Sequence, residues 1–214
     1  MKKMFAVQVV ALLLVSSTLA GMFAFTPVYN EVRSGIVLVL CLSCLKLEPN
    51  TATDFTFETV DNVPHPSFVL ENLTKGPVFL HYSGDACEGC DIMYPVVEEL
   101  FSISFGKQDM FHTLVTFDNS TVAYIYVNIH HTIDELRNAQ VIYDKDHVNG
   151  IPMFTIVTLG YDNGIVKPKY TTLYGTLAAF GSNTDAQRLA FLQNLMKESI
   201  DMYQQNKAGY HPHQ

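Results

Sequence analysis

The chain has 214 residues, which is enough for one domain with attachments or for two small domains. Its formal net charge is −8, which argues against general nucleic-acid binding, because that function needs clusters of basic residues to neutralise phosphates. Apolar residues make up 48% of the chain and charged residues 16%, a balance that excludes a disordered protein. Four cysteines are too few for a dense disulfide scaffold.

The N-terminus is typical of an export signal or a membrane anchor. Two lysines precede an apolar run from Met4 to Phe25, which is long enough to cross a bilayer at about 20 residues per crossing. The small residues at Thr18-Leu19-Ala20 also fit a cleaved signal peptide, so both interpretations of residues 1–25 stay open. Sequons beginning at Asn72 and Asn119 are compatible with export. We expect a secreted protein, or a membrane-anchored one with an extracytoplasmic domain.

Residues 26–53 form an extension with a second apolar run, Gly35 to Leu47, which is too short to span a bilayer. Its β-branched start predicts a buried strand. The run contains Cys41 and Cys44, which could be a second redox pair, a structural disulfide or two apolar cysteines of that strand. Cysteines three apart in an extended strand point to opposite faces, so bridging them would require a turn.

Residues 54–205 are predicted to form one α/β domain, followed by a polar tail at 206–214. The apolar patterns predict strands at Phe55–Val60, Pro77–Tyr82, Thr121–Asn128, Met153–Leu159 and Ile165–Tyr174, and helices at Ser67–Leu73, Cys87–Phe101, Ile133–Val141 and from a capping box at Thr184 to Tyr203. Asp162-Asn163-Gly164 predicts a hairpin turn, and Pro168 predicts that the returning strand lies at a sheet edge. Residues 102–120 show no clear period and are expected to be an inserted loop or short helix. The order of elements indicates a mixed central β-sheet with helices on both faces.

The pattern that carries most chemistry is Cys87-Glu88-Gly89-Cys90. It follows a predicted strand and begins a predicted helix, where unpaired backbone N–H groups and the positive end of the helix dipole stabilise a thiolate. Such a thiolate attacks a substrate disulfide, and the second cysteine resolves the mixed disulfide. The alternative is a structural disulfide that never turns over.

With this cysteine pair, with Pro95 inside the following helix and with Ile151-Pro152 at a strand start, the chain from Asp54 to Tyr203 resembles the thioredoxin family. The resemblance implies a thioredoxin-like fold in which Cys87 is the nucleophile and Cys90 the resolving cysteine. It also implies a cis peptide bond before Pro152, with the backbone of Ile151 pairing with substrate. An X-Pro bond is the place where a cis peptide costs little, although an ordinary trans turn is the alternative here.

The chain also departs from the family's pattern. Ala86 precedes the first cysteine, there is no tryptophan, and His81 stands where thioredoxins place a buried aspartate. His81 is then either a hydrogen-bonded core histidine or a group that exchanges a proton with Cys90, which would require a pKa suited to neutral pH. We therefore expect a divergent extracytoplasmic relative, for which the family's cytoplasmic reductase is not assumed.

Acidic residues surround the cysteine pair at Asp85, Glu88 and Asp91. Negative charge disfavours a nearby thiolate and opposes the effect of the helix dipole. A less stable thiolate makes the disulfide relatively more stable, which means a lower reduction potential. The sequence therefore predicts a reductase or isomerase rather than a strong oxidant.

No metal site is expected. His130 and His131 are adjacent at a strand end and are predicted to point apart, and the two distant Cys-x-x-Cys pairs could form a zinc site only against the thioredoxin resemblance. The expected function is a thiol–disulfide oxidoreductase for protein disulfides outside the cytoplasm. It would need no cofactor beyond its own dithiol, and a membrane or extracytoplasmic electron donor would reduce it again. A metal-carrying thioredoxin-like chaperone and a redox-inert binding module are the alternatives.

Overall fold

The computed structural model describes residues 55–60, 63–106, 108–162 and 165–211. All of them belong to one compact unit, Thr53–Gln214. Three predicted segments lie outside the described residues: the signal or anchor, the apolar run with Cys41 and Cys44, and the end of the polar tail. None of the helices in the described part of the chain is long and apolar enough to cross a membrane.

The described residues form an alternating series of helices and strands. In chain order these are α1 (Ser67–Leu73), β1 (Val78–Ser83), α2 (Glu88–Phe101), β2 (Met110–Phe117), β3 (Ser120–Asn128), α3 (Asp134–Tyr143), β4 (Met153–Asp162), β5 (Ile165–Tyr174) and α4 (Asp185–Asn206). Short 3₁₀ helices follow β5 at Ala178–Phe180 and α4 at Lys207–Gly209.

The five strands form one mixed sheet in the order β2-β3-β1-β4-β5. β1 and β3 are parallel, with Ser83 opposite Asn128, and the other neighbouring strands are antiparallel. β4 begins beside the end of β1, where Met153 pairs with Tyr82. Three loops therefore meet at the same end of these central strands: the loops after β1 and β3 and the loop before β4.

Helices cover both faces of the sheet, as the sequence predicts. One core lies under α2 and α4 and is rich in aromatic residues, including Phe79, Tyr124, Tyr126 and Phe154. The other lies under α1 and α3; its buried residues include Val69, Leu73, Leu80, Tyr82, Leu136, Tyr143 and Val157. Alternate residues of β1 point to opposite faces, so Phe79 joins the first core while Leu80 joins the second.

The prediction for residues 102–120 is wrong, because this segment contains β2, an edge strand antiparallel to β3. Val115 is buried, whereas Met110 and Leu114 point outward with exposed fractions of 53% and 49%. Apolar residues thus occupy both faces of β2, and the alternation that identifies a strand from its sequence is hidden. Residues 55–60 do not form the predicted strand; Glu58 makes only an isolated β-bridge to Tyr170.

Other expectations are confirmed with small shifts in their bounds. Asp162 pairs with Ile165 across the predicted hairpin, whose two turn residues lie outside the described residues, and β5 is an edge strand. The capping box at Thr184 is present. On α2 the apolar Ile92 is 36% exposed while the adjacent Met93 is buried, since neighbouring helical residues differ in direction by about 100°.

Candidate active site

The predicted cysteine pair lies at the start of α2, directly after the loop that follows β1. Cys87 and Cys90 form a disulfide with a sulfur–sulfur distance of 2.11 Å and a Cα–Cα distance of 5.2 Å. Cys87 is the N-cap residue of α2, and its sulfur accepts a hydrogen bond from the backbone N–H of Cys90 at 3.1 Å. Cys87 is half-buried, whereas Cys90 is 1% exposed. The two cysteines therefore differ in accessibility, and Cys87 is the outer one.

The loop before β4 packs against the residues between the two cysteines. The Ile151–Pro152 peptide bond is cis, as the resemblance implies. A Cβ atom at Gly89 would lie 3.1 Å from Cδ of Pro152 and 3.5 Å from Cγ2 of Thr176, so both side chains approach the helix closely here. The carbonyl of Pro152 accepts a hydrogen bond from Gly175 N–H at 2.8 Å. The structure thus brings Pro152 against the cysteine pair, beside the half-buried Ile151.

His81 lies in the aromatic core on the α2 side of the sheet. Its ring is fully buried and packs against Phe154 in a tilted arrangement and against Tyr126 edge to face, with ring centroids 4.8 Å and 5.2 Å away. Nδ1 is hydrogen-bonded to the hydroxyl of Tyr124 at 3.0 Å, and Nε2 has no hydrogen-bond partner among the described residues.

Burial lowers the pKa of His81 to about 3, because the protonated ring would lose its hydration in this core. This differs from the neutral-range pKa that proton exchange with Cys90 requires. Neither ring nitrogen of His81 is hydrogen-bonded to a cysteine. The arrangement is that of a hydrogen-bonded core histidine, which was the other interpretation of this residue.

A chain of hydroxyl groups, not anticipated from the sequence, lies one helical turn beyond Cys90. The hydroxyl of Tyr94 is 2.6 Å from Oγ of Ser83 and 2.8 Å from the hydroxyl of Tyr126. Tyr94 follows Cys90 by four residues and so shares its side of α2. That spacing is the sequence signal that could have found it. These hydroxyl contacts connect α2 to the ends of β1 and β3 and hold the helix against the sheet.

A second polar cluster joins the loops after β1 and β3 and combines Asp85, Asn128, His130 and His131. The carboxylate of Asp85 accepts hydrogen bonds from Nδ2 of Asn128 at 2.9 Å and from Nε2 of His131 at 2.7 Å. Nδ1 of His130 lies 3.7 Å from the same carboxylate and accepts a hydrogen bond from the backbone N–H of Asp85 at 3.0 Å. The expectation that the two histidines point apart is wrong, because the loop after β3 turns both toward Asp85.

The cluster also touches the loop before β4. A Cβ atom at Gly84 would lie 2.6 Å from Cδ1 of Ile151 and 3.0 Å from Cε1 of His130. A larger residue at position 84 would therefore require the side chains of Ile151 and His130 to shift. The hydrogen bonds from Asn128 and His131 lower the pKa of Asp85, so its carboxyl group stays ionised below the usual range for aspartate.

Other candidate features lie elsewhere or outside the described residues. Within the described part of the chain, no group of three or more histidine, cysteine or acidic side chains, the Asp85 cluster included, is arranged so that it could hold a metal ion. Cys41 and Cys44 are not among the described residues, so the interpretations of that pair stay predictions. An open groove of about 380 Å³ is lined by residues 55–57, by the end of β4 with Tyr161, by Lys169 of β5 and by α4 with Met202. It contains neither cysteine of the pair at Cys87.

No protein-family model matches the chain, and no curated protein matches its sequence. The case for a function therefore depends on the residues of the site and on their geometry.

Proposed function

We propose that this protein is a thioredoxin-like thiol–disulfide oxidoreductase that acts on protein disulfides outside the cytoplasm. The observation that carries the proposal is the Cys87–Cys90 bond at the first turn of α2, with Cys87 half-buried and Cys90 almost fully buried. Such an asymmetry suits a nucleophile and a resolving cysteine, because only the outer cysteine can meet a substrate. The five-stranded mixed sheet with helices on both faces is compatible with a thioredoxin-like fold.

The reaction needs only the two thiols of the reduced protein. The thiolate of Cys87 attacks one sulfur of a substrate disulfide, and the other substrate sulfur leaves as a thiolate and takes up a proton. Cys90 then loses its proton, attacks the sulfur of Cys87 and releases the second substrate sulfur. The substrate gains two electrons and the protein ends as the disulfide, so an extracytoplasmic or membrane-bound dithiol donor must reduce it again. No separate cofactor enters this cycle.

The loop at Ile151 and Pro152 is the proposed substrate-binding surface. It packs on Gly89 between the cysteines, and Ile151, the residue before Pro152, is half-buried. An extended substrate segment would pair with the backbone of Ile151 and present its disulfide to Cys87. Proton transfer by His81 is not part of the proposal, because its buried ring is neutral and bonded to Tyr124.

The direction proposed is reduction or isomerisation. Glu88 and Asp91 lie in the first turn of α2, and Asp85 precedes the N-cap residue by two positions. Their charges oppose a thiolate at Cys87 and so lower the reduction potential. The N-terminal apolar run supports the proposed location, on a membrane anchor or in a secreted chain.

The test is a glutathione redox titration of the full-length protein, read by thiol alkylation and peptide mass spectrometry, together with turnover of a disulfide-containing protein substrate. We expect Cys87 and Cys90 to titrate as one reversible pair. Cys87→Ser should abolish turnover, and Cys90→Ser should accumulate a mixed disulfide between Cys87 and the substrate. The peptide readout reports Cys41 and Cys44 separately, and a second transition there would support a second redox pair.

Other outcomes would overturn the proposal. Cysteines that stay locked as a disulfide in the folded protein under strong reductant, or unreactive as thiols, would leave a redox-inert binding module. One metal ion bound per chain with loss of free thiols would indicate a metal-carrying chaperone. A midpoint near that of strong oxidants, about −120 mV, would refute the predicted direction alone.

A further inference from the structure

The loop before β4 carries the proposed substrate-binding residues, and it begins at a buried acid. Asp144 is the C-cap residue of α3, and its backbone N–H donates to the carbonyl of Gln140 at 2.9 Å. The residue is only 4% exposed. Burying a carboxylate costs free energy unless hydrogen-bond donors replace its hydration. The donors around Asp144 therefore show what this residue does in the fold.

Three donors surround the carboxylate, and two of them are backbone groups of the loop itself. Oδ1 accepts hydrogen bonds from the N–H of Val148 at 2.9 Å and from the hydroxyl of Tyr174 at 2.8 Å. Oδ2 accepts the N–H of Asn149 at 2.7 Å. Burial alone would raise the pKa of Asp144, but these hydrogen bonds outweigh it and the pKa is lowered. The carboxyl group is therefore ionised, and both of its oxygens are acceptors.

The loop that this carboxylate holds has an uncommon backbone. His147 and Asn149 both have a φ of 52°, in the left-handed region that glycine adopts more easily than other residues. A Cβ atom at Gly150 would lie 3.1 Å from Cγ1 of Val148, so the loop also turns closely on itself. Such conformations persist only where neighbouring contacts hold them. The carboxylate of Asp144 supplies two of these contacts, at residues 148 and 149.

Tyr174 connects the same carboxylate to the other end of the loop. Its hydroxyl donates to Asp144, while its backbone lies opposite Met153, the first residue of β4. The next residue, Gly175, donates its N–H to the carbonyl of Pro152 at 2.8 Å. The loop is therefore fixed at both ends, by Asp144 at residues 148 and 149 and by Gly175 at Pro152.

We propose that Asp144 is a positioning residue for substrate binding: its carboxylate holds the loop before β4 in the place where Pro152 packs on Gly89, between the two cysteines. The inference rests on the proposed function and deepens it, and Asp144 acts through the loop rather than on the reacting sulfurs. A substrate segment binds only to the ordered loop, so its apparent affinity falls with the fraction of molecules in which the loop is in place. Loosening the loop weakens binding and leaves the reaction of bound substrate unchanged.

The experiment compares the native full-length chain with Asp144→Asn, Tyr174→Phe and Asp162→Asn. Asparagine replaces one acceptor oxygen of Asp144 by an NH₂ donor, so a single oxygen remains for three donors. Tyr174→Phe removes only the hydroxyl that links Asp144 to β5. Asp162 is an acid bonded to Lys167 at 3.1 Å, at the end of β4 that is far from Pro152, so its variant controls for the change in net charge.

Three measurements are made on each chain. Hydrogen exchange of the Gly175 amide reports its bond to Pro152 and needs no substrate. Single-turnover reduction of a disulfide-containing protein by the reduced chain gives a half-saturating substrate concentration and a limiting rate. A glutathione titration gives the equilibrium constant of the Cys87–Cys90 pair, in which protein disulfide plus two glutathione thiols yield protein dithiol plus glutathione disulfide.

Asp144→Asn should speed exchange at Gly175 and raise the half-saturating concentration, each by about five- to tenfold. The limiting rate and the glutathione equilibrium constant should stay within about twofold of the native values. Tyr174→Phe should change exchange and half-saturation in the same direction by about two- to threefold, which tests the proposal even if Asp144→Asn does not fold. Asp162→Asn should match the native chain.

Three results would overturn the proposal: unchanged exchange at Gly175, an unchanged half-saturating concentration, or an equally large shift in the glutathione equilibrium constant. The last result would indicate that the substitution disturbs the cysteine pair rather than the loop. A native chain that reduces no protein disulfide would refute the proposed function. A native chain that does so with the same half-saturating concentration as Asp144→Asn would refute the role of Asp144 alone.

Discussion

Replacement of His81 by phenylalanine should remove part of the acid sensitivity of this protein. Burial lowers the pKa of His81 to about 3 in the folded protein, against an ordinary value of about 6.5 in the unfolded chain. Between these pH values the unfolded state binds more protons than the folded state, so the free energy of unfolding rises with pH in this window. This contribution is complete above the unfolded pKa and is lost as the pH falls toward the folded pKa.

The size of the effect follows from the two pKa values. At pH 5 the unfolded histidine is almost fully protonated while the buried ring is neutral, which lowers the free energy of unfolding by about 2 kcal/mol relative to pH 8. His65, whose pKa is lowered to about 4 by burial, adds a similar slope. His65 is present in both the native chain and His81→Phe, so its contribution cancels when the pH dependence of the two is compared.

Urea unfolding of the oxidised full-length protein at pH 8 and pH 5 measures this difference. His81→Phe retains a ring among the aromatic neighbours but leaves the Tyr124 hydroxyl without its partner, which should cost about 1–3 kcal/mol at both pH values. Tyr124→Phe is the matched control: it breaks the same hydrogen bond but keeps the histidine, so it should keep the native pH dependence. If His81→Phe lost as much stability between pH 8 and pH 5 as the native chain, the argument from burial would be refuted.

Two further substitutions test the packing that positions the site. A Cβ atom at Gly76 would lie 1.9 Å from the carbonyl oxygen of Thr121, so Gly76→Ala must displace the start of β3 and should lower the free energy of unfolding by about 1–3 kcal/mol or more; denaturation showing a loss below 0.5 kcal/mol would contradict this. Thr184→Ala removes the hydroxyl that accepts the N–H of Gln187 at the start of α4 and should cost about 1 kcal/mol, whereas Thr184→Ser should cost much less in the same assay.

The local parts of the site could be predicted from the sequence. Cys87 and Cys90 are three residues apart at a helix start, so they lie within bonding distance whatever the rest of the chain does. The helices, β1, β3, β4 and β5 follow from apolar periods, and the capping box from residues within one turn. β2 could not be predicted because Met110 and Leu114 place apolar side chains on its exposed face, which hides the alternation of apolar and polar residues.

The long-range parts of the site could not be predicted. Asp85 and His131 meet only because β1 and β3 are parallel neighbours whose carboxyl ends lie side by side. The sequence predicts a strand end at the two histidines of this loop, where adjacent side chains would diverge, but β3 ends at Asn128, before both of them. Nothing within a few residues of either histidine specifies that turn.

The sequence by itself determined most of the alternating elements and the cysteine pair, since each depends on spacing within a short segment. The contact of Pro152 with Gly89 joins distant segments and is a feature of the tertiary structure. Only the tertiary structure decided the environments. In the sequence, His81 cannot be distinguished from any other histidine in a strand. In the folded protein it is buried among aromatic rings that exclude water, and this burial lowers its pKa. Asp85 reads as one of three acids, but the loop after β3 fixes it in place. Hydration and charge fields are summed over neighbours from distant parts of the chain, and that sum exists only once the sheet has formed.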